Sequence, residues 1–600
     1  MGVLLAAGAP AEAAQAKGEP EAARIAVRGE STFRQHWTVH SPRRVLRAAV
    51  SLQGRVPRLE VRRGRRVVLA ADVGRLRRPS RPVNARVVSV LPRAQAKTTH
   101  VADSFTTITG KRRTHTLDAT RWNLNLAGKA RLELFVADDG IAIRQRGFSS
   151  TRVTYRFKGT PRGYLQRLVP NYEGDYVPTR LNGVSGRYGY PALMRSGHGT
   201  WALLSEAGLR YGQPGEHLVA FRRRPAILRT QAAGRTTGPS PWRIAVIGTL
   251  ADIVATDLPD QLAGRPAIAD TEWIRPGRVA WSWWSDSHSP RWPARQRDYV
   301  DFAARTGFEY VLVDEGWNAE WVPELASYAA TKGVRLLLWT DWHALADRST
   351  RAAVLDRWAS WGVAGLKVDF LHSDSGSRLA VMEDIAAAAA ERQMVVNFHG
   401  STIPRGLQRT WPNVLTFEAV WGSEHEKGGV PDDPALNVTL AFTRNVIGSM
   451  DYTPVTFSAN NRLSTSAAQL AQSVIFESGL QHYADSPESY ATRPQALELL
   501  RQVPAVWDDV RLLGGAPRRS VTLARRSGER WFVGSLSAIP ARTERVALTF
   551  LDERRAYTAR IYADQAGDEI AISEYDVTAD TVLELPVAAN GGFVVTLTPS

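Results

Sequence analysis

The pattern of apolar and polar positions divides the chain into three parts. From residue 25 to 277, short β-rich runs are broken by Gly, Pro and Asp and show no sustained helical periodicity, as is typical of antiparallel strands. From 278 to 502, short apolar runs alternate with helical patterns, and from 503 to 600 the short β-rich runs return. We therefore predict a large N-terminal β-sandwich, a middle α/β domain and a small C-terminal β-sandwich.

The middle part contains a series of strand candidates, most of them followed by a helical pattern. In chain order the strand candidates are VAWSWWSD, EYVLVDEGW, RLLLWTDW, GLKVDF, MVVNFHG, VLTFEAVWG, NVIGSMDYTP and SVIFESGLQHY. The helical patterns cover 295–306, 321–332, 349–361 and 377–392. Alternating strands and helices predict a parallel sheet, and eight such units predict a (β/α)8 barrel.

Polar residues stand at or just after the ends of nearly all these strands. They are Asp286, Asp314, Asp341, Asp369, His399, Glu418 and Asp451. A doubly wound sheet would gather its ligand groups at one switch point, so polar ends on nearly every strand favour a closed barrel, whose catalytic groups lie at the carboxyl ends of the strands.

Paired carboxylates at the mouth of a barrel suit the hydrolysis of glycosides. One carboxylate can stabilise or attack the positively charged anomeric carbon, while the other protonates the leaving oxygen. The candidates are Asp314, Asp341, Asp369, Glu418, Glu424 and Asp451. Any single one of them could instead form a salt bridge or cap a loop. On this pattern alone, the sequence favours a carbohydrate-active or other barrel hydrolase and assigns no roles.

The composition restricts the partners and metals that we expect this protein to bind. The formal charge of +17 would suit nucleic-acid binding. The excess is mostly scattered Arg, however, and the acidic residues at the strand ends would repel phosphates, so we expect no nucleic-acid partner. The chain has no cysteine. His399 has no second histidine nearby in the sequence, so a zinc site is not expected. If a metal is bound, oxygen ligands would favour Ca²⁺.

The first 24 residues are rich in alanine and contain Ala-x-Ala triplets but no basic segment. We predict that this stretch is the remnant of a secretory signal, with an Ala-rich leader as the alternative. A secreted, periplasmic or cell-envelope protein is therefore expected. No apolar run in the sequence approaches the length of a membrane span.

Eight motifs in order along the chain resemble those of glycoside hydrolase family 97. They are RPGRVAWSWW (275–284), EYVLVDEGW (309–317), GLKVDF (365–370), RTWPN (409–413), EAVWGSE (418–424), MDYTP (450–454), LQHYADSP (480–487) and VPAVWDDVRLL (503–513). The resemblance implies a large N-terminal β-sandwich, a catalytic barrel and a C-terminal β-sandwich, which is the architecture predicted above.

Two positions distinguish the branches of that family. Its inverting α-glucosidase branch lacks the carboxylate at the end of the fourth strand and carries a glutamate directly after the fifth-strand histidine. This sequence has Asp369 at the first position and Gly400 at the second, as in the retaining, α-galactosidase-like branch. The resemblance thus implies that Asp369 is the nucleophile and Glu424 the acid/base. We expect Lys367 to lower the pKa of Asp369, and Trp421 to shield Glu424 from water.

The resemblance also implies an active-site Ca²⁺ held by Glu418 and by Glu173 of the N-terminal sandwich, while Gly400 removes a third ligand. Further polar and aromatic residues at the strand ends are expected to bind substrate. These are Asp314, Trp317, Trp339, Asp341, Lys367, His399 and Asp451.

The function predicted on this basis is the release of terminal α-galactosyl residues by double displacement. A β-L-arabinopyranosidase is the nearest competing interpretation, because that sugar has the same ring configuration without the hydroxymethyl group. An inverting α-glucosidase of the same family is a second, and a non-catalytic carbohydrate-binding protein is a third.

Overall fold

The computed structural model describes residues 36–78, 96–126, 129–197 and 199–600. The leader predicted over residues 1–24 lies outside these residues. Within the described ranges, none of the helices combines the length and the apolar character needed to cross a membrane.

Two antiparallel sheets make up the N-terminal part, and strands such as Leu46–Gln53 and Val56–Arg63 alternate in burial, as expected where one face of a sheet packs on the core. The strands, numbered β1 to β17, are His36–His40, Leu46–Gln53, Val56–Arg63, Arg66–Arg75, Ala96–Thr106, Thr114–Leu126, Ala130–Ala137, Gly140–Arg146, Ser150–Arg156, Arg162–Gln166, Tyr176–Arg180, Gly186–Tyr188, Ala192–Gly197, Thr200–Ala207, Glu216–Phe221, Arg224–Ala232 and Trp242–Gly248. One sheet has the order β1, β2, β3, β4, β9, β16, β15, β12, and the other β11, β10, β13, β14, β17, β8, β7, β6, β5. Two short helices follow, α1 (Leu250–Ala255) and α2 (Leu258–Gln261).

A parallel sheet forms the middle part. Its strands, β18 to β24, are Gly277–Trp281, Tyr310–Val313, Arg335–Asp341, Gly365–Asp369, Val395–Phe398, Val414–Phe417 and Leu480–Tyr483. They lie in the order β23, β22, β21, β20, β19, β18, β24. The helices, α3 to α12, are Pro293–Thr306, Val322–Thr331, Arg348–Ser360, Gly376–Ala390, Leu407–Thr410, Glu424–Lys427, Pro434–Leu440, Ser466–Ile475, Pro487–Ala491 and Pro494–Leu500. Short 3-10 helices cover Ser289–Arg291, Trp342–Leu345 and Arg444–Ile447.

The C-terminal part is again antiparallel. Its strands, β25 to β32, are Asp509–Ala516, Ser520–Ser527, Arg530–Ser537, Arg542–Ala547, Tyr557–Gln565, Glu569–Val577, Val582–Val587 and Gly592–Pro599. Six of them form one sheet and β28 pairs with β31. The two flanking sheet regions and the barrel-like parallel sheet between them confirm the predicted fold class.

The predicted seventh barrel strand, NVIGSMDYTP, is wrong in detail. Its first half is a 3-10 helix, and a single parallel bridge between Phe417 and Met450 is the sheet contact described there. The buried guanidinium of Arg444 donates to the carbonyl oxygens of Phe417 and Glu418, each at 3.0 Å. The Phe417 carbonyl also accepts from the amide of Asp451 at 2.8 Å, so the side chain of Arg444 and a short stretch of backbone together satisfy the carbonyl groups at the end of β23.

The predicted eighth strand begins too early. Its apolar SVI segment ends the helix α10, and the strand itself is only β24. Every residue of α10 is buried, because the helix packs between the barrel and strands β27 and β32. A short apolar run that is buried on all sides gives no periodicity by which a helix can be told from a strand.

Candidate active site

Strand alternation brings polar side chains to one buried face. Lys367 and Asp369 are two positions apart in β21, and Asn397 and His399 are two positions apart at the end of β22. Side chains spaced in this way point to the same face of a sheet, and all four are buried. Four further carboxylates lie around them and form, together with Asp369, what we call the acidic cluster: Asp314, Asp369, Glu418, Glu424 and Asp451.

Two donors hold the carboxylate of Asp369. The indole Nε1 of Trp339 donates to Oδ2 at 3.1 Å, and the amide of Phe370 donates to Oδ1 at 2.6 Å. Burial raises the pKa of this carboxyl, but the positive charges of His399 and Lys367 and the two hydrogen bonds outweigh burial, so the pKa is lowered. Lys367 contributes to this lowering as expected, and His399 contributes more.

His399 lies at the centre of the acidic cluster. Its Nδ1 is 3.0 Å from Glu418 Oε2 and 3.8 Å from Asp369 Oδ2. Its Nε2 is 3.4 Å from Asp451 Oδ2 and 3.7 Å from Glu424 Oε1. Burial opposes a charge on this ring, yet the carboxylates of Glu418 and Glu424 and the bond to Asp451 raise its pKa well above the ordinary value. The imidazolium therefore separates groups that would otherwise repel one another.

Lys367 is the second buried cation. Its Nζ lies 3.0 Å from Asp314 Oδ2 and 3.2 Å from Glu424 Oε1, and it sits over the ring of Trp281 at 4.7 Å from the centroid. Burial lowers the pKa of this amine, but the carboxylates, with Asp314 first, raise it well above the ordinary value. Lys367 thus joins β21 to the turn that carries Glu424.

Three residues that the sequence patterns did not mark hold this cluster in place. The Trp281 indole donates to Asp314 at 2.7 Å, the Asn397 amide donates to Asp451 Oδ2 at 2.6 Å, and His482 Nδ1 lies 3.0 Å from Asp451 Oδ1. The position of Asn397, two before His399, was a signal that could have identified it. No comparable local signal marks His482.

A candidate cation site lies beside His399. Burial and the carboxylate of Glu173 raise the pKa of Glu418 well above its ordinary value. One donor atom each of His399, Glu418 and Glu424 lie within 4.8 Å of one another. Carboxylate oxygens are the ligands that Ca²⁺ prefers. The carboxylate oxygens of Glu418 and Glu424 suit calcium, and Glu424 was not in the predicted ligand set. Glu173, which was in that set, is not part of this group, and its carboxylate lies 3.3 Å from His425 Nε2.

A buried network fixes the segment that carries Glu173. The hydroxyl of Tyr172 donates to Asp374 Oδ2 at 2.5 Å. Arg405 donates to Asp374 Oδ1 at 2.9 Å and to Glu206 Oε1 at 2.6 Å. Tyr172 and Glu206 belong to the N-terminal sheet region, whereas Asp374 and Arg405 belong to barrel loops. The network therefore sets the position of Glu173 relative to the barrel.

Gly400 leaves space that Asp369 needs. Its φ of +48° lies in the left-handed region, and a Cβ built on it would be 2.7 Å from Asp369 Oδ1 and 2.9 Å from the amide nitrogen of Phe370. A side chain at position 400 would therefore force the carboxylate of Asp369 or the backbone of Phe370 to shift. The two departures from the inverting pattern are thus linked sterically.

The remaining predicted residues lie at the edge of the cluster. Trp317 donates to the carbonyl oxygen of Trp339 at 2.9 Å and packs against α5, so it supports Trp339 from behind. Asp341 accepts from the amide of His343 at 2.8 Å and is partly exposed. The ring of Trp421 stacks on His425 at 3.6 Å, the residue that follows Glu424.

Glu426 gives a prediction on stability. Burial raises the pKa of this carboxyl from 4.5 to about 8, and its hydrogen bond to Thr456 at 2.7 Å only partly offsets that effect. Between pH 4.5 and 8, the folded protein keeps a proton that the unfolded chain releases. The free energy of unfolding therefore falls by up to about 1.4 kcal/mol per pH unit through this group. We expect Glu426→Gln to gain stability relative to the parent as the pH rises from 5 to 8.

Denaturant titrations at several pH values would measure this gain. Glu320→Gln, which removes an exposed carboxyl, is the matched control. A constant stability difference between Glu426→Gln and the parent across this pH range would contradict the prediction.

Comparisons with known proteins identify the family of this chain. Family models match in three consecutive regions: "Glycosyl-hydrolase 97 N-terminal" over 39–264, "Glycoside hydrolase 97" over 273–420, and "Glycosyl-hydrolase 97 C-terminal, oligomerisation" over 506–598. A "Probable retaining alpha-galactosidase" from Streptomyces bingchenggensis is 35% identical over 536 residues, which cover 82% of each chain. A "Retaining alpha-galactosidase" from Bacteroides thetaiotaomicron is 33% identical over 59% of each chain.

The fold also matches a solved structure. A family 97 enzyme from Pseudoalteromonas sp. strain K8, in complex with acarbose, superposes with a TM-score of 0.84 at 22% identity, covering 94% of this chain and all of that one. The resemblance noted in the sequence is thus confirmed over all three regions. This chain belongs to glycoside hydrolase family 97 and is a glycoside hydrolase.

Proposed function

We propose that this enzyme is a retaining exo-α-galactosidase. The observation that carries the proposal is the pairing of Asp369, whose pKa is lowered, with Gly400, which leaves room for its carboxylate. The names of the relatives from Streptomyces bingchenggensis and Bacteroides thetaiotaomicron support the same reaction.

In the first step, a carboxylate oxygen of Asp369 attacks the anomeric carbon of an α-galactoside. The bond from that carbon to the leaving oxygen breaks, and the leaving oxygen takes the proton of Glu424. A β-linked galactosyl-enzyme results. The hydrogen bonds from Trp339 and Phe370 aim the Asp369 carboxylate.

In the second step, water attacks the same carbon from the side that the leaving group has vacated. The carboxylate of Glu424 takes the proton of this water, and the bond to Asp369 breaks. Two inversions return the α configuration. His399, which lies between Asp369 and Glu424, keeps both carboxyl groups in position during these changes of charge.

We assign recognition of the sugar hydroxyls to Asp314, Lys367 and Asp451. They are buried and charged, and their remaining hydrogen-bonding capacity matches the hydroxyl groups of a pyranose. Trp317, Trp339 and Asp341 are proposed to shape the pocket around these groups.

We propose that Glu418 and Glu173 bind Ca²⁺, with an oxygen of Glu424 nearby. Bound calcium would supply positive charge that relieves repulsion between these carboxylates and helps to orient a substrate hydroxyl. The secreted or cell-envelope location also stays a prediction, and it would be tested by looking for the protein in the culture medium or the periplasmic fraction.

Turnover of a small set of p-nitrophenyl glycosides tests the proposed substrate. We expect the α-galactoside to be the preferred substrate, with activity lowered by a calcium chelator and restored by added Ca²⁺. Preference for the β-L-arabinopyranoside or the α-glucoside would favour the corresponding competing enzyme. Sugar binding without turnover of any substrate would favour a carbohydrate-binding protein.

Gly400→Ala tests the steric link between Gly400 and Asp369. The new Cβ would displace the carboxylate of Asp369, and a displacement of about 1 Å costs on the order of 100-fold in rate. We therefore expect kcat on p-nitrophenyl α-galactoside to fall by about that factor. Gly333→Ala is a matched control, because Gly333 has φ +71° and a Cβ added to it would meet no atom within 4 Å. Equal activity of the two variants would refute the link.

A further inference from the structure

We infer that Phe370 binds the leaving group of the substrate and that it favours leaving groups with a ring that can stack on an aromatic side chain. The inference rests on the proposed function, because it takes Asp369 as the residue that attacks the sugar. It adds a binding position outside the buried cluster and a class of preferred aglycone.

Phe370 is exposed where neighbouring apolar side chains are not. It directly follows Asp369 and exposes 41% of its surface, whereas Leu371 is fully buried. One exposed apolar side chain needs no explanation by itself, but the position of Phe370 directly beside Asp369 makes it a candidate for contact with the substrate. For an aromatic ring in a solvated loop, contact with the apolar face of a ligand is more favourable in free energy than contact with water.

The backbone of Phe370 is held in an unfavourable conformation. Its φ of +61° lies in the left-handed region, which non-glycine residues seldom adopt. Its amide donates to Asp369 Oδ1, and the amide of His372 donates to the carbonyl oxygen of Gly400 at 2.7 Å. These bonds account for the backbone conformation, but they do not require an aromatic side chain.

The ring of Phe370 belongs to an aromatic rim that we define as Trp339, Phe370 and His372. Phe370 makes T-shaped contacts with the other two rings, each with centroids 5.9 Å apart. Trp339 touches the carboxylate of Asp369, and His372 Nε2 lies 2.9 Å from the point that a Cβ on Gly400 would occupy. The rim therefore borders Asp369 on the side of solvent, and the two contacts support the Phe370 ring without burying it.

The pocket is buried on one side and open on the other, and this difference determines the direction in which the leaving group points. Asp314, Lys367 and Asp451 are almost fully buried, so the galactosyl ring must direct its hydroxyls inward toward them. The rest of the substrate must then leave the pocket through its open side, where Phe370 and His372 are exposed. A sugar or aryl ring in this place would have an apolar face to lay on Phe370.

Substrates with and without a ring in the leaving group test this inference. We expect Phe370→Ala to lower kcat/KM by about three- to tenfold for melibiose and p-nitrophenyl α-galactoside, the range expected for one stacking contact. Hydrolysis of α-galactosyl fluoride, whose leaving group has no ring, should fall by a clearly smaller factor. Alanine keeps a Cβ and hence the same backbone preference, and Phe370→Trp, which keeps an aromatic ring, should retain activity on all three substrates.

Each result decides between distinct explanations. Equal losses on the fluoride and on the ring-bearing substrates would overturn the inference, because they would show that Phe370 only positions Asp369. Unchanged activity on every substrate would overturn it as well. If the parent enzyme did not hydrolyse α-galactosyl fluoride, the proposed function itself would fail, whatever Phe370 does.

Discussion

Asp369→Ala is expected to lower the turnover of p-nitrophenyl α-galactoside by a factor on the order of 10⁴ or more. The variant lacks the carboxylate that forms the covalent intermediate, and the loss of a catalytic nucleophile has effects of this size. Because Asp369 is buried beside His399, the melting temperature must be measured as well, so that misfolding is recognised.

Azide provides the positive control for this variant. In the space left by the carboxylate, azide should attack the anomeric carbon directly and restore turnover. A single displacement of this kind yields β-galactosyl azide, which NMR identifies. A folded Asp369→Ala enzyme that keeps more than about a hundredth of the parent activity would rule out Asp369 as the nucleophile.

Glu424→Ala should produce a loss that depends on the leaving group. General acid catalysis contributes about 10²–10⁴-fold, so we expect losses in that range for melibiose, whose leaving oxygen needs a proton. The first step with α-galactosyl fluoride needs little protonation, so that step should be nearly as fast as in the parent. Measurement of kcat/KM on both substrates gives the comparison.

The azide product separates the role of Glu424 from that of Asp369. In Glu424→Ala, azide should attack the galactosyl-enzyme in place of water and give α-galactosyl azide, the opposite anomer to that expected from Asp369→Ala. Glu424→Gln tests whether a similar shape without an acidic proton has the same defect. A uniform loss on both substrates, without any azide product, would count against Glu424 as the acid/base.

Much of the site was predictable because strands obey simple periodicity. The polar ends of GLKVDF and VVNFHG mark the carboxyl ends of parallel strands. The two-residue spacing of Lys367 and Asp369 places both side chains on one face of the sheet. These local patterns placed Asp314, Asp369 and His399 at the same end of one sheet, and the structure brings their side chains together.

What the sequence could not provide was the contacts between distant segments. The contact of Arg444 with the end of β23 depends on burial of a guanidinium against carbonyl groups of another segment. Glu173 is more than two hundred residues from Glu418, and its placement depends on the network of Tyr172, Asp374 and Arg405. No periodicity within one element carries such information.

The structure gives a steric reason for the glycine at position 400. From the sequence, the absence of a glutamate at this position and the presence of Asp369 were two separate departures from the inverting branch. A Cβ at residue 400 would fall 2.7 Å from Asp369 Oδ1, so a side chain there would force the carboxylate to move. Asp369 and Gly400 together therefore predict that the enzyme retains the anomeric configuration.

Retention of configuration is tested by proton NMR of the first sugar released from p-nitrophenyl α-galactoside, recorded before mutarotation. The double displacement through Asp369 predicts that α-galactose appears first and that the β anomer grows in slowly afterwards. Initial release of β-galactose would show a single displacement and would contradict the assignment of Asp369 as the nucleophile.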